Sequence, residues 1–304
     1  MGTPSGGRSL TMSIQTPPLN NTAEINPLAA RRLAAIARQH RKDASKSAYL
    51  GRAFNQSLNH SLQDKRTPAQ LQELVQRGQR ELGLGPDGAP AEGEANAYEV
   101  VAWVARNFGT KIAVACSMAD AVLPDLVAKQ IPWVDVLFLD TGYHFAETYG
   151  TRDAVAQSLE VTIVDVKPKI TVAEQDATIG KDLFSTNPNQ CCQIRKVEPL
   201  AASLKNYELW FTGVRRDEAP TRSNTPLLTW DDKNQLVKVN PMAAWTFEEL
   251  TQYAQENDVM LNPLLNDGYP SIGCQPCTRR VARGQDPRSG RWAGLAKTEC
   301  GLHV

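Results

Sequence analysis

Between Ile112 and Val166 the chain alternates short apolar runs with longer amphipathic ones, and this alternation limits the fold more than any other feature of the sequence. Ile112-Ala-Val-Ala-Cys116 reads as a buried strand, and the short, mostly apolar runs Val134 to Leu139 and Val161 to Val166 as a second and a third. Met118 to Lys129 and Phe145 to Ser158, lying between them, carry helical spacing. Parallel neighbours need a crossover, and a helix supplies it. The expected fold class is therefore α/β: a mostly parallel sheet with helices on both faces, and Leu209 to Thr212 as a later strand. In such sheets ligands bind beyond the carboxyl ends of the strands.

The flanks carry clear boundary signals. Thr67-Pro-Ala-Gln70 offers an N-cap, a proline at the first helical position and glutamine at N3, so the ordered domain is expected to span 66–304. A Gly/Pro/Glu linker follows at Gly83 to Glu94, then a helix from Ala97 to Asn107 that ends before Gly109. Thr246-Phe-Glu-Glu249 is a second capping box, opening a helix to about Asn257. The final fifty or so residues are irregular and rich in Gly and Pro. Residues 1–65 form an accessory extension: the first 25 have the composition of a disordered tail, and Pro27 to His40 suits a basic helix.

Composition excludes some functions. A chain of 304 residues with 41% hydrophobic content can bury a real core. Its 33 Lys+Arg balance 33 Asp+Glu, so net charge points to neither nucleic acid nor an anionic membrane, and any anion recognition must be local. No apolar run approaches a membrane span and the N-terminus lacks a signal-peptide core, so a soluble, cytoplasmic protein is expected.

Five of the six cysteines fall into three groups: Cys191-Cys192, Cys274-Gln-Pro-Cys277, and Cys300 near the C-terminus. Two pairs can close a four-sulfur shell around zinc or an iron-sulfur cluster. One pair is vicinal and its partner lies about 80 residues away, which disfavours a zinc ribbon. A vicinal disulfide is strained and uncommon inside cells. If Cys191 to about Lys205 is helical, Arg195 and Lys196 each stand four residues after a cysteine and share its face, bringing cations to the thiolates. Cys116 ends a buried strand and reads as core.

Three loops are candidates for holding an anion. Ser117-Met-Ala-Asp120 follows the first strand and begins a helix, where free amides can take a phosphate. Asp140, Thr141 and Gly142 follow the second strand, with Tyr143, His144 and Phe145 beside them for contact with a base. Arg215, Arg216 and Arg222 follow the late strand, and Arg288 and Arg291 precede the Cys300 tail. Guanidinium forks suit phosphate and sulfate.

These residues together resemble the assimilatory, thioredoxin-dependent adenylyl-sulfate reductases. The resemblance runs from about Ala113 to His303 and rests on five ordered motifs: Leu139-Asp-Thr-Gly-Tyr-His-Phe-Ala-Glu-Thr148, Cys191-Cys-Gln-Ile-Arg-Lys-Val-Glu-Pro-Leu200, Thr212-Gly-Val-Arg-Arg216 with Ala219-Pro-Thr-Arg222, Tyr269-Pro-Ser-Ile-Gly-Cys-Gln-Pro-Cys277, and Lys297-Thr-Glu-Cys-Gly-Leu-His303. It implies an adenine nucleotide alpha hydrolase-like fold and reduction of adenosine 5'-phosphosulfate (APS) to sulfite and AMP by thioredoxin, through an S-sulfocysteine on Cys300. It also implies one 4Fe-4S cluster per subunit on Cys191, Cys192, Cys274 and Cys277, a cluster-binding region at 190–280 and a catalytic tail at 286–304. Lys196 and His303 are expected to assist Cys300. Ser117, Asp140, Thr141, Gly142, Arg215, Arg216, Arg222, Arg288 and Arg291 are expected to bind substrate. Reductases of the 3'-phosphorylated substrate (PAPS) share the scaffold but typically lack both cysteine pairs, so this chain favours APS. Ser117-Met-Ala-Asp120 departs from the Ser-Gly-Gly-x-Asp loop of the related nucleotide pyrophosphatases. The competing readings are PAPS reduction and a non-catalytic, zinc-stabilised module for nucleotides or RNA. Oligomeric state is left open, a homo-oligomer included.

Overall fold

Capping chemistry sets where the helices start. In this computed structural model, which describes residues 65–295, 297 and 299–302, the first helix is α1, Pro68–Glu81. Thr67 Oγ1 accepts from the Gln70 amide while the Gln70 side chain accepts from the Thr67 amide. The expectations for residues 1–64 and for His303 lie outside the described residues. After α1 come α2 (Ala97–Asn107), β1 (Ile112–Ala115), α3 (Val122–Ala128), β2 (Val134–Leu139), α4 (Ala146–Ser158) and β3 (Val161–Val166). Three short helices follow: α5 (Val172–Thr178), α6 (Leu183–Thr186) and α7 (Pro188–Cys192). A π turn, Gln193–Val197, joins α7 to α8 (Glu198–Leu204). Then come β4 (Leu209–Thr212), the hairpin β5 (Leu228–Asp231) and β6 (Leu236–Val239), and α9 (Phe247–Glu256) under the Thr246/Glu249 capping box.

The six strands form one sheet in the order β3-β2-β1-β4-β6-β5, parallel except for β5. Chain order runs outward from β1 through β2 to β3, then resumes at β4 on the other side, so the topological switch lies between β1 and β4. Alternate residues feed opposite faces. Val114, Val136, Phe138 and Phe211 join the larger core, which includes Trp103 of α2 and Leu126 of α3. Ala113, Leu137 and Trp210 point the other way, against Leu200 and Leu204 of α8. All of the described residues fall in one compact unit, and among them no helix is long and apolar enough to cross a membrane.

Two local departures from the sequence reading bear on the site. The helix expected from Met118 begins only at Val122, because Asp120 Oδ1 takes the Val122 amide at 3.0 Å and Met118 adopts φ +59° with its side chain fully buried. The Gly83 to Glu94 stretch is docked rather than loose, since Glu94 forms a two-pronged pair with Arg216.

Candidate active site

At the switch point the carboxyl ends of β1 and β4 part, and a cavity of about 310 Å³ opens there. That volume suits a nucleotide-sized ligand. Its walls are apolar where Leu123, Phe138, Trp210 and Met242 line it, and charged toward the C-terminal segment. Ser117 and Asp120 line the β1 side. Burial raises the Asp120 carboxyl above its ordinary value, although the Val122 amide and Arg215 work against that. Cys116 also faces the cavity, and burial with Asp120 pushes its thiol up to about 12, so it stays protonated at neutral pH. His144 lines the same space; its Nε2 donates to the Leu139 carbonyl at 2.7 Å, and burial holds its pKa below the ordinary value.

A second, smaller cavity sits beside the first, lined by Cys191, Cys192, Cys274 and Cys277. Two helical cysteines and two loop cysteines are thus brought together from distant parts of the chain. Among the described residues no three His, Cys, Asp or Glu side chains converge on a single-ion point; the four thiols ring a space. Burial, then the neighbouring cysteines, push Cys191 up to about 12 and Cys277 to about 11. Cys192 is raised as well, through burial, against the pull of Lys196 and Lys297.

The Asp140-Thr-Gly segment lines neither cavity, although Thr141 and Gly142 stand behind residues of the second. Thr141 Oγ1 lies 3.3 Å from Cys274 Sγ, and Asp140 accepts from the Tyr149 hydroxyl at 2.7 Å. Gly142 has φ +76°, and a β-carbon there would meet Val172 Cγ2 at 3.0 Å and Arg195 Nη2 at 3.5 Å. Arg195, 3% exposed, donates to the Thr141 carbonyl at 2.5 Å and to Gln175 Oε1 at 2.8 Å. Its guanidinium also lies over the Tyr143 ring, 5.4 Å from the centroid. Arg195 is therefore a brace for the loop that touches Cys274.

Lys196, the next residue, does something different. It lines both cavities, as does Trp292. Burial opposes its charge, but the facing Cys274 and Cys300 outweigh this and hold its pKa above the ordinary value. Five cations line the larger cavity: Lys196, Arg215, Arg222, Arg288 and Arg291. Arg215 pairs with Asp217 and Glu218, Arg222 with Glu218 and Glu299, and Arg288 with Glu299. Among the described residues no carboxylate forms a direct ion pair with Lys196 or Arg291. Arg216 points away to Glu94 and does not line the cavity.

Room for Arg291 depends on Gly273, because a β-carbon there would overlap the guanidinium. Arg291 donates to Ser271 Oγ at 3.2 Å and to the Ile272 carbonyl at 3.3 Å, and stacks on Trp292. Cys300 completes the charged end of the cavity. Its segment is held by Glu299 on Arg222 and Arg288, by Lys233 donating to the Gly301 carbonyl, and by Leu302 packed on the α8 face of the sheet. Asp120, Asp217, Glu218, Glu299 and Trp292 all line the cavity; Asp120 belongs to a loop the sequence offered as an anion site, and the other four were assigned no place there. Only the adjacency of Glu299 to Cys300 and of Trp292 to Arg291 hinted at two of them.

Comparison with known proteins agrees with this layout. Residues 110–280 match the family model described as the phosphoadenosine phosphosulfate reductase domain. The adenosine 5'-phosphosulfate reductase of Mycolicibacterium smegmatis is 54% identical over 238 residues, covering 78% of this chain and 97% of the relative. That of Mycobacterium tuberculosis (strain ATCC 25618 / H37Rv) is 51% identical over 255 residues, covering 78% and 96%. Among solved structures, the phosphoadenylyl-sulfate (PAPS) reductase from Candida auris, in a phosphate complex, aligns with TM-score 0.55 at 26% identity, covering 69% of this chain and 97% of that one.

Proposed function

Because the chain belongs to the phosphoadenosine phosphosulfate reductase family, we propose that it reduces adenosine 5'-phosphosulfate to sulfite and AMP, with Cys300 as the nucleophile. The observation that carries this reading is the placement of Cys300 in one nucleotide-sized cavity with two unpaired cations, Lys196 and Arg291. Sulfate is an anionic and reluctant electrophile, so a thiolate can approach only where fixed positive charge offsets the repulsion. The Cys300 thiolate attacks the sulfate sulfur. The S–O bond to the phosphate breaks, AMP leaves with the electron pair, and Cys300 carries an S-sulfonate. A thiolate of a thioredoxin-type dithiol then attacks the Cys300 sulfur and expels sulfite. The second thiol of that partner, as thiolate, then attacks the partner's own sulfur in the mixed disulfide; the partner closes to a disulfide, having given two electrons in all, and Cys300 leaves as thiolate.

Lys196 and Arg291 are the groups assigned to the charge that builds on phosphate and sulfonyl oxygens, with Arg288 beside them. Ser117 and the apolar wall of β1 and β4 hold the nucleoside end. Arg215 and Arg222 line the same site, each already paired with acids. Asp140, Thr141, Gly142 and Arg216 position the loops around the site. A cytoplasmic setting belongs to the same reading, since the reaction needs reduced thiols.

Cys191, Cys192, Cys274 and Cys277 would hold a 4Fe-4S cluster, and the donor set fits one. Burial, then the neighbouring sulfurs, raise the Cys191 and Cys277 thiols, so four thiolates gathered in this space need a cationic group among them. The buried Trp292 indole N–H, which lines that space without a partner among the described residues, suits a sulfur acceptor. When bound, such a cluster supplies a fixed inorganic core joining α7 to the C-terminal loops. The reading is tested by giving anaerobically purified protein APS or PAPS with thioredoxin and measuring sulfite, while the Cys300 peptide is weighed for an added SO3 group. Sulfite from APS with the adduct on Cys300 supports it; sulfite only from PAPS moves the substrate, and no adduct with either nucleotide sinks the mechanism.

A further inference from the structure

The arginines nearest the tail are already occupied, and the occupant is the tail's own carboxylate. Glu299 meets Arg222 through two parallel bonds, Nε to Oε1 at 2.8 Å and Nη2 to Oε2 at 2.7 Å, and Arg288 joins at 3.1 Å. The pair is largely shielded from water, with side-chain exposures of 11% for Arg222 and 13% each for Glu299 and Arg288. A two-pronged bond of this kind fixes direction as well as distance. Since Glu299 and Cys300 are adjacent, fixing the carboxylate fixes the thiol within one residue of it.

The remaining holds on the tail are weaker. Lys233 gives one exposed bond to the Gly301 carbonyl, and Leu302 is only partly buried. Charge bookkeeping explains why a carboxylate is tolerated beside an anion-binding cavity. The lining carries five cations against four carboxylates, and Glu299 consumes only Arg222 and Arg288, leaving Lys196 and Arg291 open. Burial and Arg222 both press the Arg288 guanidinium below its ordinary value, and a carboxylate between the two arginines relieves that.

We infer that Glu299 is a positioning residue: its ion pairs with Arg222 and Arg288 latch the nucleophile-bearing tail inside the cavity, and breaking them presents Cys300 to the partner thiol. The inference rests on the reductase reading for its purpose, but the latch itself can be measured without turnover. Trypsin cleaves after Lys297, and cleavage there requires the tail to leave its seat. Where opening and closing are fast, the cleavage rate follows the open population.

The experiment compares release of the C-terminal peptide from the full-length holoprotein with Glu299, Glu299→Gln and Glu299→Asp. The expected result is release faster by roughly ten- to a hundredfold in the glutamine variant, because charge-assisted bonds become neutral ones, with the aspartate variant in between. Added salt should speed release from the native chain and leave the glutamine variant nearly unchanged. In turnover assays with APS the glutamine variant should lose kcat while KM moves little. Equal release rates and equal salt responses in native and glutamine proteins would overturn the latch and assign docking to Leu302 and Lys233. Absence of any APS turnover in the native protein, with the release difference intact, would instead strike the proposed function and leave the latch standing.

Discussion

Neighbouring residues Arg195 and Lys196 should fail in opposite ways when truncated. Arg195 is buried and carries the Thr141 carbonyl and Gln175 Oε1 as acceptors, with Thr141 in turn on Cys274. Arg195→Ala removes the two shorter of its charge-assisted bonds along with a longer one to the Ile170 carbonyl at 3.4 Å; at about 1.5–3 kcal/mol for each of the two shorter bonds, a total of roughly 3–6 kcal/mol is expected. Against a typical domain stability of 5–15 kcal/mol that is a large share, and it corresponds to a melting shift on the order of 10 °C. Lys196 is in no ion pair with a carboxylate among the described residues and lines the cavity proposed for the nucleotide. Removing its charge costs little folding energy but removes a cation from the reacting oxygens, for about a 10²–10³-fold loss in kcat. Thermal unfolding, iron and sulfide content, and turnover on both variants decide the matter. Arg195→Ala should lose iron and melting temperature first; Lys196→Ala should keep both and lose turnover. If Lys196→Ala sheds iron and stability as much as Arg195→Ala does, the separation of brace from electrophilic group is wrong.

Cys300→Ser should lose sulfite production by roughly 10⁴-fold or more and form no S-sulfonate, while iron content stays native; sulfite at the native rate would rule Cys300 out as nucleophile. Gly273→Ala should displace the Arg291 guanidinium it would overlap, lowering kcat/KM by about tenfold at a cost of about 1 kcal/mol or more in stability, read by kinetics and by melting. The Glu299 carboxyl is held below its ordinary value although burial opposes this, because Arg222, Arg288 and Arg291 outweigh the burial. A depressed carboxyl contributes docking above its ordinary pKa and loses it as pH falls through the depressed one. Amide protection at 299–302, corrected for intrinsic exchange, should therefore fall on acidification below the usual carboxylate range in the native chain but not in Glu299→Gln; matching profiles would remove Glu299 as the cause.

What could be read from the sequence was chemistry confined to a few neighbouring residues. The Thr67/Gln70 and Thr246/Glu249 boxes are local and stand where the spacing put them, and the strands from β1 to β4 announced themselves by short, mostly apolar runs. The β5–β6 hairpin did not, because each strand has four residues and the left-handed position of the turn, φ +55°, is taken by Gln235 rather than by glycine or by the neighbouring Asn234. The helix after β1 was placed too early for a related reason: Met118 takes a positive φ that its side chain gives no warning of. At the site, the sequence indicated which residue types would gather but not how they would pair. Arg216 meets Glu94 across 122 positions, and only folding brings them together, so five clustered arginines looked like a single clamp when carboxylates in fact occupy four of them. That pairing bears on the proposed chemistry: a cavity of bare arginines would hold any polyanion tightly, whereas two open cations, Lys196 and Arg291, among paired ones suit a small dianion whose product must leave.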